Sequence, residues 1–169
     1  MSFASISYPD DKAARYELMI GQIAALIDGI DHPLANLANT AALLWQGMPD
    51  INWCGFYLMD KGALMLGPFC GLPACIKIPL GRGVCGTAAA KDEVQRVYDV
   101  HDFPGHIACD SASNSEIVIP LHACGKVIGV LDIDSPAIGR FDETDEAQLL
   151  RIVSMLEQGC DFSHTEYTL

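Results

Sequence analysis

Long apolar runs are missing from this 169-residue sequence. None reaches the roughly 18 residues that a membrane-crossing helix needs. Positive charge is scarce as well: 10 Lys and Arg stand against 22 Asp and Glu, a formal charge of −12. Such a surface repels phosphate backbones and anionic lipid, which argues against nucleic acid and membrane partners. Residues 1–11 have neither the basic nor the apolar stretch of a secretory signal, so a cytoplasmic protein is expected. Internal repeats and low-complexity tracts are absent, and 15 Gly with 9 Pro are too few for a collagen-like or disordered chain. The motifs of several site classes are missing too. There is no CxxC pair, no GxxxxGK[ST] phosphate loop, no metal-binding spacing among the five His and no legible Ser-His-Asp set. The HxE-like run His164-Thr165-Glu166 lacks the PCxxC partner of zinc deaminases.

What the chain does have is apolar residues at 50% and seven cysteines, at 54, 70, 75, 85, 109, 124 and 160. The apolar fraction and the length suit one packed domain spanning residues 1–169. An odd cysteine count without an export signal argues against a secreted disulfide scaffold and leaves buried thiols, metal ligands or redox chemistry.

Periodicity organises the chain. Tyr16, Met19, Ile20, Ile23, Leu26 and Ile27 recur at helical spacing after a cap at Asp10 or Asp11, and a second helix is predicted from Pro33 to Trp45. The period then changes. Strands are predicted at 53–59, 63–66, 76–80, 95–100, 116–121 and 127–134, with turns at Asp60-Lys61-Gly62 and Ala123-Cys124-Gly125-Lys126. A short helix is expected from Val84 to Lys91 and a final one from Asp142 to about Cys160, with 101–114 a polar loop. Short connections make neighbouring strands antiparallel. The expected fold is therefore α+β, a mostly antiparallel sheet of five or six strands with the terminal helices on one face. The other face is left to loops, and a ligand would sit there.

Three groups of residues could carry chemistry. Cys109 lies in the polar loop, either as an exposed reactive thiol or as a bystander. Cys75 and Cys85 bracket the third strand, and Cys85 falls in the first turn of a helix, where the macrodipole favours a thiolate. Either could approach Cys109 across the open face. Cys54 reads as core, Cys70 and Cys124 as turn residues, and Cys160 as a helix end. Asp132 and Asp134 alternate on one face of an apolar strand, with Glu116 at the start of its hairpin partner. They are either solvated strand-end acids or a buried cluster with raised pKa values. Trp53 and Tyr57 share a strand face, either as core or as an aromatic wall for a ligand.

Five segments are more specific: Asn52-Trp53-Cys54-Gly55-Phe56-Tyr57, Leu66-Gly67-Pro68-Phe69, 81–89 (GRGVCGTAA), 106–120 (HIACDSASNSEIVIP) and 129–136 (GVLDIDSP). Together they closely resemble the free methionine-(R)-sulfoxide reductases, small GAF-fold enzymes, from about residue 14 to 158. Cys75, Cys85 and Cys109 match that family's cysteine spacings of 10 and 24. The resemblance implies that Cys109 is the nucleophile, Cys75 its disulfide partner and Cys85 an accessory thiol able to exchange with either. It also implies that Glu116, Asp132 and Asp134 bind substrate and supply acid, and that Trp53 and Tyr57 line the pocket. No metal or organic cofactor is implied. The electron donor would be a thioredoxin-type reductant, and related GAF domains suggest a homodimer. The chain departs from the pattern at Cys70, where Gln is expected; an extra thiol there could form an off-path disulfide. The other readings of the sequence are a non-catalytic GAF ligand sensor and a thiol-based metal or peroxide sensor.

Overall fold

The computed structural model describes residues 7–105 and 111–164. Two helices come first, α1 (Lys12–Ile27) and α2 (Pro33–Gly47). Asp11 caps α1 by accepting from the Ala14 amide at 2.8 Å, and Pro33 occupies the first turn of α2, where no intrahelical N–H is needed. The strands β1 (Trp53–Asp60), β2 (Ala63–Gly71) and β3 (Lys77–Pro79) lead into α3 (Gly83–Lys91). Then come β4 (Gln95–Val97), β5 (Ser115–Ala123), β6 (Lys126–Ser135) and α4 (Glu143–Gly159).

The six strands form one sheet in the order β3-β2-β1-β6-β5-β4. Every adjacent pair is antiparallel. Period-two alternation sends the side chains of each strand to two different layers. Cys54, Phe56, Leu58, Ile117, Ile119, Leu121, Leu131 and Ile133 pack against α1, α2 and α4 in the main core. Trp53, Tyr57, Val118 and Val130 point the other way, into a smaller cluster that includes Val84, Cys85, Ala88 and Ala89 of α3. The α+β expectation and the six strands hold, but the second face is covered by α3 as well as by loops. Gly86 permits this close docking, because a Cβ there would lie 2.4 Å from the Pro79 carbonyl. Among the described residues no helix is long and apolar enough to cross a membrane.

Two strand ends differ from the sequence expectation by three residues or more. Cys70 is not a turn residue: β2 runs on to Gly71 because Cys70 and Phe69 pair with Cys54 and Gly55. The strand expected at 95–100 stops at Val97, and Val100–Asp102 form a 3-10 turn capped by the Asp99 side chain on the His101 amide, 2.9 Å.

One polar knot ties the first helix to the last. Asp145 is fully buried and accepts from the Tyr16 hydroxyl (2.8 Å), Lys12 Nζ (2.7 Å), an Arg140 guanidinium nitrogen (3.1 Å) and the Asp142 amide (3.0 Å). Asp142 in turn accepts from the amides of Thr144 and Asp145, completing a capping box. Asp145→Ala would leave Tyr16 without its acceptor and the mostly buried Arg140 without its carboxylate partner. Urea unfolding should register a loss of about 3 kcal/mol for this single change; a loss within about 0.5 kcal/mol, the range of ordinary surface substitutions, would show the knot to be energetically idle.

Candidate active site

The β1–β6–β5 register stacks the polar residues in rows. Trp53 lies opposite Asp134, which lies opposite Glu116; Gly55 lies opposite Asp132, which lies opposite Val118. All of these face the α3 side. Position 55 must be small, since a Cβ there would stand 2.3 Å from that of Phe69. Above the rows, α3 brings Cys85 down onto the acids. The Cys85 thiol points to Glu116 Oε1 at 3.8 Å, and ligand-type atoms of Cys85, Glu116 and Asp132 all lie within 4.8 Å of one another.

The acids are buried. Glu116 is 6% and Asp132 5% exposed, which decides between the two sequence readings for these residues; Asp134 is half-buried. Burial raises the Glu116 carboxyl well above the carboxylate range, and the charges of Asp132 and Asp134 push it further. Burial also raises Asp132, to about 6, against the opposing effect of hydrogen bonds with Cys85 and Glu116. The physical picture is an acid pair that holds a proton near neutral pH, with Glu116 the stronger holder. Among the described residues Asp132 Oδ1 is buried with no hydrogen-bond partner, so the cluster keeps one acceptor open. A buried acceptor left this way is costly unless a ligand supplies the donor. A thiol and two carboxylates are also donor types that could hold a divalent ion.

For Cys85 the expectation of a helix-terminal thiolate is overturned. Burial raises its thiol strongly, and the Asp132 and Glu116 charges add to this. Desolvation and two neighbouring acids outweigh the end of a nine-residue helix. Cys85 is therefore a protonated hydrogen-bond donor here. Cys75 is disulfide-bonded, while Cys54, Cys70, Cys85, Cys124 and Cys160 are free thiols. Cys109, with the rest of 106–110, lies outside the described residues.

The aromatic wall is built from three rings. Trp53 stacks on Tyr57 with centroids 5.7 Å apart and on Phe69 with centroids 5.3 Å apart. In the sequence Phe69 stands out only as part of a matching segment; its β2 register with Gly55 is what brings it to the wall. The Trp53 indole N–H donates to the Leu72 carbonyl at 3.2 Å, tying the wall to the segment that carries Cys75. Burial and then Asp132 raise the Tyr57 phenol, so it stays neutral.

A second group missed by sequence reasoning anchors the polar loop. Asn114 donates through its amide to the Ser135 carbonyl (2.7 Å) and through its side chain to the Pro136 carbonyl (2.7 Å), and His101 meets its Oδ1 at 3.1 Å. Asn52 donates to Ser113 Oγ at 3.0 Å. Only the fold brings these partners together, since Asn52 and Ser113 belong to opposite halves of the chain.

A layered antiparallel sheet with a thiol, buried acids and aromatics on its short-helix face defines the class. Residues 35–158 match the family model described as "GAF domain". The free methionine-R-sulfoxide reductase of Escherichia coli (strain K12) is 58% identical over 134 residues, covering 79% of this chain and 81% of that protein. The structure of fRMsr of Staphylococcus aureus in its reduced form is 50% identical with a TM-score of 0.84, covering 86% of this chain and 95% of that one. The X-ray structure of free methionine-R-sulfoxide reductase from Neisseria meningitidis in complex with its substrate is 46% identical with a TM-score of 0.88, covering 92% and 94%. The chain belongs to the free methionine-R-sulfoxide reductase family of GAF-domain oxidoreductases.

Proposed function

We propose that this protein reduces free L-methionine-(R)-sulfoxide to L-methionine, with Cys109 as nucleophile and Cys75 as its resolving thiol. The observation that carries this reading is the buried Glu116–Asp132 pair beside Cys85, on the face walled by Trp53, Tyr57 and Phe69. A sulfoxide is a poor electrophile until its oxygen is protonated or hydrogen-bonded. A carboxylic acid that holds its proton near neutral pH, as Glu116 does, can supply that proton. The Cys109 thiolate attacks the sulfoxide sulfur, the protonated oxygen passes from that sulfur to the Cys109 sulfur as the S–O and transient S–S bonds break, and methionine leaves with Cys109 as a sulfenic acid. The Cys75 thiol condenses with it, forming a disulfide and releasing water. Two electrons from a thioredoxin-type dithiol reopen the bond by exchange. The bonded state of Cys75 and the free state of Cys85 support Cys75 in this role.

The aromatic wall suits the substrate's methyl group and thioether side chain. Asp134 and the open acceptor of Asp132 suit its ammonium, which a peptide-bound residue lacks; this accounts for preference for the free amino acid. The reaction needs no metal or organic cofactor, works in a reducing cytoplasm and is carried by a homodimer. NADPH consumption with thioredoxin and thioredoxin reductase should be supported by the free R sulfoxide and not by the S isomer or an oxidised peptide. Tight stoichiometric binding of the R sulfoxide without methionine release would overturn the reading and favour a ligand-sensing GAF module.

A further inference from the structure

We propose that Cys54 and Cys70 form a second redox site, a cross-strand disulfide on the helix-side face of the sheet, distinct from the Cys75 set. The two residues are direct partners in the β1–β2 ladder. Directly opposed antiparallel residues have Cα atoms about 4.5–5.5 Å apart, inside the roughly 4.4–6.8 Å that a disulfide spans. Both are free thiols. Cys54 packs in the main core among Phe56, Leu131 and Ile133, while Trp53 and Gly55 on either side of it face the acids. The bond would therefore leave the acid cluster untouched.

Access is asymmetric, and this sets the order of steps. Cys54 is completely buried, and burial followed by the neighbouring Cys70 keeps it a thiol. Cys70 is half-buried and within reach of a small oxidant. Hydrogen peroxide oxidises the Cys70 thiol to a sulfenic acid, and its O–O bond breaks with loss of one water. Cys54 sulfur, a weak nucleophile as a buried thiol but fixed directly opposite its target, then attacks Cys70 sulfur; the S–OH bond breaks, and the Cys54 proton leaves in a second water. Two thiols have lost two electrons to one peroxide. Cys54 needs no contact with solvent for this, only its strand neighbour. The bond would pin the end of the β1–β2 hairpin just before Leu72, whose carbonyl holds Trp53. The outcome is a stiffer hairpin under peroxide stress, and Cys70 is protected from further oxidation to sulfinic acid.

The test uses the Cys75→Ser/Cys109→Ser variant, which removes the other disulfide and does not depend on the proposed catalysis. Trypsin cuts after Lys61 and places Cys54 in fragment 16–61 and Cys70 in fragment 62–77. After peroxide and alkylation, mass spectrometry should find these fragments joined, 2 Da below their summed mass, and separated by dithiothreitol. Both cysteines recovered as alkylated thiols, or Cys70 recovered as sulfinic acid without a join, would overturn the proposal. Should the double variant fail to fold, unsubstituted protein gives the same reading: fragment 16–61 must enter a disulfide-linked product after peroxide and must be released in Cys70→Ser. Failure of that pair of results overturns it equally.

Discussion

Cys109→Ser should lower turnover of free methionine-(R)-sulfoxide by at least about 10⁴-fold, the scale on which loss of a covalent nucleophile registers. The other two cysteines of the set should fail differently, because their surroundings differ. Cys75→Ser should still release about one methionine per protein in the first turnover and then stall, since attack is intact and resolution is not. Cys85→Ser should retain the burst and much of the turnover. Its thiol is buried, held protonated by desolvation and by the Asp132 and Glu116 charges, and spent on a hydrogen bond to Glu116. A thiol in that state is a poor nucleophile. Rapid-quench measurement of methionine formed per protein separates the three variants. If Cys85→Ser instead removed the burst and Cys109→Ser kept it, the assignment of the nucleophile would be wrong.

Glu116→Gln should lower kcat by about 10²- to 10⁴-fold near pH 7, the usual contribution of a positioned general acid. The amide keeps the shape of the carboxyl but has no proton to transfer. The pH profile gives a second reading. With the protonated pair as proton donor, activity limited by proton transfer should fall as pH rises through the raised range of Glu116 and Asp132, the latter about 6. Stability should move in the same direction. Folded-state pKa values raised above their unfolded values stabilise the fold below about pH 4.5, and that contribution is lost as pH rises through the folded-state pKa. The protein should therefore unfold at lower urea at pH 8 than at pH 5. Glu116→Gln should flatten that slope while it removes activity. A variant that lost activity and kept the full pH slope would show that Glu116 is not the group holding the proton.

The two faces of the sheet were legible in the sequence to different degrees. The helix-side face follows from alternation: Cys54, Phe56 and Leu58 on one strand and Leu131 and Ile133 on another repeat at period two, and the structure buries all of them together. The hairpins followed from their turn residues, and the pairing of Asp132 with Asp134 on one face followed from the same period. What alternation cannot supply is which strands are neighbours. Glu116 meets Asp134, and Trp53 meets Asp134, only because β6 sits between β1 and β5. Phe69 escaped because the predicted strand ended at Leu66; Gly67 and Pro68 sit at a β-bulge, beyond which the pairing with β1 resumes at Phe69. Cys85 was misjudged for a related reason. Its place in a helix was readable, whereas the two acids beneath it come from strands more than thirty positions later in the chain and reverse the effect of the helix end.

The central pairing also constrains how the molecule comes into being. Trp53 finds Asp134 only after roughly eighty further residues have been made, and contacts of such long sequence separation are closed late and slowly. A nascent chain can form α1, α2 and the β1–β2 hairpin early, yet the inner edge of β1 stays unpaired until β6 leaves the ribosome. During that interval the chain exposes Trp53, Tyr57 and Phe56 along an open strand edge, the situation in which chains aggregate. No truncated product that ends before β6 can assemble the wall and the acids together, so this face of the sheet is first complete only after β6 has been made.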